Sequence, residues 1–518
     1  MLIQEYLSFW AARAPDRVCV DDGRSVWSYA EAEAQANRFA RLLTRLEVGD
    51  GDRVAFLAKN CAEWVALYAG AFKIGAVPVP LNYRHQPQEW VHPLADSGAV
   101  ALITQPDYRS GIESILTELP QLRIRLLLDG HHHRWTPFAD TMASCSADHL
   151  DHRVDPDHVL YQMYTSGTTG RPKGALLTHR SADANLTQLR TALTLPQEHG
   201  NLLAAPMFHA GGAMNMFTAW VAGMTSHMII DFDPDDCARR LDDERVTMAS
   251  LVPAMIQAML VHSNTIHERR FEALQCIQYG ASAINEETLR EVMKIFDCDF
   301  YQVYGQTEST AVLTALSPAV HREALAGRPE LLSSCGAALP GTELRIVDEH
   351  GADLPNGQIG EILARGPQLM AGYWNLPAET AATLRDGWLH TGDAGYLDGS
   401  GLLYICDRVK DMIVSGGENV FPREIEDVLH RLPGVAEAAV IGIPDQRWGE
   451  TVHAVIVPLP EAQVTKELAI SWCRDRLAGY KCPRSVDLVT ELPRNASGKV
   501  LKRELRAPFW VGHRRGIG

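Results

Sequence analysis

The sequence predicts an α/β fold: a large N-terminal domain of mixed, mostly parallel sheets flanked by helices, a small β-rich subdomain, and a small α+β C-terminal domain. Three observations predict it. Strands and helices alternate along the N-terminal part, the pattern turns to short strands and turns from Glu343, and it changes again near Asp407. Alternating strands and helices imply βαβ crossovers and parallel pairing. A chain of 518 residues is long for one core, so two or more domains are expected. The changes in pattern set them at 1–406 and 407–518, with the β-rich subdomain at about 340–406.

Each element follows from its own residues. Ser28-Tyr29-Ala30-Glu31 is a capping box that opens an Ala-rich helix running through Leu46. Residues 49–52 make a turn, 54–58 a short apolar strand, 62–74 a helix, and 75–81 a returning strand and exit loop. Strands are expected at 100–104 and 125–128, and at 158–163 running into a glycine-rich segment. A helix is expected at 182–193 and buried strands at 248–252 and 276–279. Segments 344–348 and 360–363 read as the strands of the β-rich part. Beyond Asp407 come a helix at 422–431, strands at 436–443 and 452–457, and a helix at 466–477. No repeat of fixed period is present.

Composition narrows the function classes. A formal charge of −16 argues against a broad nucleic-acid footprint. The ten cysteines form no CxxC pair and read as reduced thiols of a cytoplasmic protein. Glu5, Arg13, Asp16 and Arg17 interrupt the N-terminal segment, which does not read as a signal peptide, and no long apolar run suggests a membrane span. His131-His132-His133 lacks further ligands at metal spacing and reads as a polar surface loop.

The strongest chemical signal is Thr165-Ser166-Gly167-Thr168-Thr169-Gly170-Arg171-Pro172-Lys173-Gly174. Glycines let the backbone turn sharply and bring N–H groups against an anion. The Thr and Ser hydroxyls add donors, and Lys173 adds charge. The string is not GxxxxGK[ST], so it is a phosphate-holding loop of another kind.

This loop resembles the phosphate loop of the adenylate-forming superfamily, which includes acyl-CoA synthetases, nonribosomal peptide adenylation domains and firefly luciferase. The resemblance extends over nearly the whole chain, in the family's order, and is nearest to the acyl-CoA synthetases. It implies that Thr165, Ser166, Gly167, Thr168, Thr169, Gly170 and Lys173 hold the ATP phosphates. Ala205-Pro206-Met207-Phe208-His209-Ala210-Gly211-Gly212 matches the second motif, which implies that His209, Gly211 and Gly212 border the acyl pocket and the reacting carboxylate. A lone histidine is more often structural, and only the motif favours the pocket role. Tyr279-Gly280-Ala281-Ser282 resembles the segment beside the adenine, with Tyr279 also at the pocket.

Gln302-Val303-Tyr304-Gly305-Gln306-Thr307-Glu308 resembles the next motif. The resemblance implies Tyr304 against the adenine, Thr307 near the α-phosphate and Glu308 on Mg²⁺. Elementary chemistry agrees, since an aromatic face suits a base and Mg²⁺ prefers oxygen ligands. Asp393, in the string 388–393, is implied to accept the ribose hydroxyls, with Arg408 and Lys410 also on the nucleotide and Asp407 as the hinge of a mobile C-terminal domain. Gly416 and Gly417 are implied as a wall of the coenzyme A channel, and Lys499, in the string 493–502, as the catalytic lysine.

The implied chemistry has two steps. A small-molecule carboxylate attacks the α-phosphate of ATP to give acyl-AMP and pyrophosphate, and a thiol, coenzyme A first among acceptors, then takes the acyl group. The first step joins two anions, so charge neutralisation and in-line positioning dominate it. An amine or a carrier-protein thiol as acceptor leaves the same motifs, and the intact Lys499, Glu308 and Asp393 argue against a non-catalytic nucleotide-binding protein. The small and apolar residues after His209 suit an aromatic, alicyclic or medium-chain acid and disfavour a dicarboxylate. A homodimer is compatible with this composition.

Overall fold

The computed structural model describes residues 1–165, 171–193, 200–280, 284, 286–415, 418–460, 462–494 and 500–511. The chain divides into two compact units, Met1–Leu344 with Ala364–Leu389, and Arg345–Leu363 with His390–Gly518. The fold is the α/β architecture that the alternating pattern predicts.

In the first unit, among the described residues, one sheet is all parallel. Its strands run in the order Val77–Pro80, Arg53–Leu57, Ala101–Thr104, Ile124–Leu127, Thr136–Pro137. Helices Tyr29–Arg45, Glu63–Phe72 and Pro87–Ser97 connect or flank these strands. The strands are almost continuously buried, as strands covered on both faces must be. The Ser28 capping box forms as read: Ser28 Oγ accepts the Glu31 N–H at 3.2 Å and Glu31 accepts the Ser28 N–H at 2.7 Å.

A second sheet of nine strands has a parallel centre that includes Gly200–Leu203, Val246–Leu251, Cys276–Gly280 and Asp299–Tyr304, with antiparallel pairs at its edges. A third holds the hairpin Val159–Thr165 and Lys173–Thr178, extended by Gly372–Tyr373. An aromatic cluster of Phe39, Phe56, Trp64, Tyr68, Phe72, Tyr161 and Phe217 packs among these elements in edge-on and tilted pairs. Such pairs add to the area that they bury.

Within the second unit, residues 393–397 pair antiparallel with Leu403–Arg408. The C-terminal part is a sheet in the order Glu418–Val420, Ile413–Ser415, Gly449–Pro458, Val435–Asp445, with Ser485–Leu488 parallel on Gly449–Pro458. Helices Pro422–His430 and Lys466–Arg474 supply apolar side chains to its core, Ile425, Leu429, Ala469 and Cys473. Among the described residues no helix is long and apolar enough to cross a membrane.

One buried histidine is expected to make the first unit acid-sensitive. His179 opens helix His179–Ala192, lies edge-on to Phe72 at 5.5 Å and accepts the Ile3 N–H at 3.4 Å. Burial, helped by the nearby His158, lowers its pKa to about 3. Below pH ~6.5 the unfolded chain therefore takes up a proton that the folded chain refuses. Stability is expected to fall as pH drops from about 6.5 towards 3, by up to ~1.4 kcal/mol per pH unit, and this effect vanishes above that window. Urea unfolding across pH should show a slope shallower by one proton in His179→Gln; parallel curves would rule this source out.

Candidate active site

The phosphate-loop string rides on the hairpin, and residues 166–170 lie outside the described residues. Its two ends are fastened. Tyr164 donates to Asp96 at 2.6 Å and accepts from Gln162 Nε2 at 2.9 Å, and burial raises its pKa so that the hydroxyl stays a donor. Trp374 donates its backbone N–H to the Gly174 carbonyl at 2.8 Å and its indole N–H to the Asp96 carbonyl at 3.0 Å. His92 donates to the Pro172 carbonyl at 2.8 Å. A Cβ on Gly174 would stand 2.5 Å from Gln162 Nε2, so a larger residue there would have to displace the Gln162 amide.

Thr165 and Lys173 are cross-strand partners at the loop end of this hairpin. Thr165 donates to Glu308 Oε1 at 3.3 Å, which ties the end of this strand to the Gln302–Glu308 string. Strand Asp299–Tyr304 ends at Tyr304, and a 3-10 turn over Thr307–Ser309 presents Glu308, 9% exposed. Thr310, directly after that turn, has φ 67°, a costly conformation for a β-branched residue. Its buried hydroxyl holds it there by donating to the Gln368 carbonyl at 2.6 Å. Glycine at 305 is dictated by backbone approach, since a Cβ would stand 2.1 Å from the Ala311 carbonyl oxygen. Gly280 likewise faces the Val303 carbonyl oxygen at 2.4 Å, while Ala281 and Ser282 lie outside the described residues.

The other sequence-predicted residues of the first unit divide. Tyr304, Val303 and Thr307 are half-buried, whereas Gln302 is buried. The Tyr279 side chain is in the core, 1% exposed, with its hydroxyl 2.9 Å from His321 Nε2. His209 takes the N-cap position of helix Ala210–Ala222, its ring 4.3 Å from that of Phe208. A Cβ at Gly212 would meet the Pro206 carbonyl oxygen at 2.2 Å, while Gly211 faces open space. Sequence reasoning missed what positions this turn. Asn60, 3% exposed, donates to the Ala205 carbonyl at 3.1 Å and accepts the Met207 N–H at 2.9 Å. Tyr68 donates to the Met207 carbonyl at 3.0 Å.

The second unit carries its own constellation. Asp393 lies across the ladder from Arg408, whose Nε is 2.8 Å from Asp393 Oδ1. Gly392, at φ 69°, makes the left-handed step just before Asp393 that glycine adopts without strain. Asp407 is half-buried, its side chain 8% exposed, and accepts two backbone N–H groups, from Arg408 at 2.7 Å and from Arg423, in the first turn of the following helix, at 3.0 Å. Burial raises its pKa. Lys502 is also half-buried, 2.8 Å from Glu426 and 3.8 Å from Asp407, and Arg506 meets Asp411 at 2.6 Å. The side chain of Lys410, together with Gly416, Gly417 and Lys499, lies outside the described residues. Strands Ile413–Ser415 and Glu418–Val420 pair on either side of the two glycines, and Arg494 faces Val500 across a bridge on either side of Lys499.

Two other features need no ligand. His131–His133 forms a surface stretch where Arg109 stands 3.0 Å from His132 Nε2, a cation where a metal would be. Asp21, His227 and Glu244 cluster within metal-ligand range, but Arg240 supplies the positive charge, 2.8 Å from Glu244. Burial alone would raise the Glu244 carboxyl; hydrogen bonds from His227 and Arg240 hold it at about 2. Burial also pushes the Cys237, Cys276 and Cys473 thiols to about 12, which suits packing and not nucleophilic attack.

Comparison with known proteins matches this layout. A family model described as AMP-binding enzyme covers residues 7–374, and one described as AMP-binding enzyme C-terminal domain covers 424–499. A fatty acid–[acyl-carrier-protein] ligase, ScoC, of Streptomyces coeruleorubidus is 37% identical over 97% of this chain and 95% of its own. A feruloyl-CoA synthase of an Amycolatopsis species is 36% identical over 97% of this chain and 99% of its own. Among solved structures, o-succinylbenzoate CoA synthetase (MenE) from Bacillus subtilis, in complex with the acyl-adenylate intermediate OSB-AMP, superposes with a TM-score of 0.85. It is 31% identical, over 96% of this chain and 97% of that one. The same enzyme in complex with ATP and a magnesium ion gives 0.84, at 31% identity over 96% and 98%. The chain belongs to the AMP-binding enzyme family.

Proposed function

We propose that this enzyme activates a carboxylic acid with ATP, as acyl-AMP and pyrophosphate, and passes the acyl group to the thiol of coenzyme A. One observation carries the nucleotide half of this reading. Glu308 is a buried carboxylate hydrogen-bonded to Thr165 at the mouth of the phosphate-loop hairpin. A carboxylate there would repel a polyphosphate unless a divalent cation stood between them, and an oxygen ligand of this kind fits Mg²⁺. Bound there, Mg²⁺ would offset phosphate charge.

The chain's own residues supply the rest. Thr165 and Lys173, with 166–170, hold the phosphates; Tyr304, with 280–282, takes the adenine; and Thr307 reaches the α-phosphate. Asp393 accepts the ribose hydroxyls, while Arg408, its ion-pair partner, aims the carboxylate. His209 borders the reacting carboxylate. Lys499 bridges that carboxylate and the α-phosphate. Gly416 and Gly417 leave room for the pantetheine arm, and Asp407 is the hinge about which the Lys499-bearing part turns between steps. A cytoplasmic setting suits cysteines that stay free among the described residues.

The names of the relatives support a thioester-forming second step. They also favour a second reading, because the ScoC name gives a carrier protein as acceptor. The acid is read as aromatic, alicyclic or medium-chain. A pyrophosphate-release assay over cinnamic, arylacetic, medium-chain and dicarboxylic acids, with and without coenzyme A, tests both points. Turnover of one class with thioester product supports the proposal. Adenylation that yields thioester only with phosphopantetheinylated carrier protein supports the second reading, and no pyrophosphate with any acid overturns both.

A further inference from the structure

We propose that Tyr373 is a positioning residue that holds Glu308 and Lys173 apart, giving each its own partner so that the carboxylate stays ready for a cation and the ammonium for phosphate. The proposal rests on the reading of Glu308 as the cation ligand. The Tyr373 hydroxyl donates to Glu308 Oε1 at 2.7 Å, and the ammonium of Lys173 stands 5.1 Å from the centre of the same ring. One rigid side chain thus touches the carboxylate through its oxygen and the cation through its face. The second distance is within the range in which an aromatic face attracts an ammonium.

The hydroxyl does more than satisfy a buried acid. Thr165 also donates to Oε1, at 3.3 Å, and among the described residues both donors land on this one oxygen. A carboxylate has two oxygens to offer, so donors gathered on Oε1 leave Oε2 for a cation and fix the plane in which it points. Without the intervening ring, a buried carboxylate and a half-buried lysine at one hairpin mouth would be drawn into a direct ion pair. Each would then be taken from the task proposed for it.

Tyr373 is itself held by the backbone. It pairs with Ala175 of the hairpin strand, and its N–H donates to Thr380 Oγ1 at 2.9 Å. The preceding Gly372 has φ 147°, and a Cβ there would stand 2.7 Å from Thr380 Cγ2, so the strand reaches this register only with glycine. The ring is therefore carried on the sheet that carries Lys173.

Two substitutions separate the two contacts. Tyr373→Phe keeps the ring and removes the hydroxyl; Tyr373→Leu removes both. The readouts are the dissociation constant of Mn²⁺ for the enzyme–ATP complex, by electron paramagnetic resonance without acid, and the affinity for metal-free ATP by calorimetry. Tyr373→Phe is expected to weaken Mn²⁺ about tenfold, the usual loss when a ligand's supporting hydrogen bond goes, and to leave metal-free ATP within about twofold. Tyr373→Leu is expected to weaken both. Wild-type Mn²⁺ affinity in Tyr373→Phe overturns the hydroxyl's role, and a Leu variant that matches Phe in both readouts overturns the ring's. Glu308→Gln separates this inference from the reading beneath it. If Glu308→Gln leaves Mn²⁺ affinity unchanged, the metal-ligand reading fails; if Glu308→Gln weakens Mn²⁺ and Tyr373→Phe does not, only the present inference fails.

Discussion

Lys499→Ala is expected to cut ATP–pyrophosphate exchange by at least 10²–10³-fold, the order found when one preorganised donor to developing charge is removed. Bringing a carboxylate to a phosphate creates like-charge repulsion that a bridging ammonium offsets where it is greatest. The second step starts from an acyl-AMP whose leaving group is already good, so it has less need of that charge. Thioester formation from synthetic acyl-AMP is therefore expected to stay within about tenfold of wild type, less than the loss in the first step. Folding should be unaffected, with an unchanged unfolding transition. Full exchange in the variant would end the catalytic assignment, and equal loss in both steps would point to a general structural defect.

Lys502→Met, three residues on, is expected to do the reverse. It should destabilise the C-terminal part by about 3 kcal/mol, because removing one partner of a buried pair leaves uncompensated charge behind. Lys502, Glu426 and Asp407 have side chains only 16%, 14% and 8% exposed, so water screens them poorly. Burial alone would lower the Lys502 pKa, but Glu426 and Asp407 outweigh it and raise the value above the ordinary lysine range. The stabilisation is accordingly complete below pH ~10 and is lost as pH rises through the raised value. Urea unfolding should show the loss, and the double variant Lys502→Met with Glu426→Gln should recover part of it. A Lys502→Met protein as stable as wild type would show that the cluster contributes little. Both half-reactions should decline together, in proportion to the folded fraction, unlike the selective loss at position 499.

The two lysines also measure how far sequence reasoning reaches. A lysine in a basic tail is ordinarily a solvated charge, and only the motif around Lys499 singles it out. Nothing near Lys502 announces burial, because its partners Asp407 and Glu426 are 95 and 76 positions away by subtraction of residue numbers. Tyr373, 65 positions from Glu308, and Asn60, 145 positions from Ala205, were missed for the same reason. At Gly280 and Gly305 the motif suggested a ligand, whereas the structure supplies a backbone reason as well: a neighbouring carbonyl occupies the space of a Cβ.

What the sequence determined by itself is therefore local or chemical. The Ser28 cap, the apolar strands and the helices follow from the period of the side chains and from hydrogen bonds that close within a few residues. The phosphate-loop string and the later motifs announce which chemical groups are available and in what order. Tertiary structure alone decided which groups meet and in what surroundings. It put Tyr279 in the core, set Tyr373 between a carboxylate and an ammonium, and took Lys502 out of water. These outcomes depend on contacts between distant segments and on the loss of solvent around them, and no short window of residues carries that information.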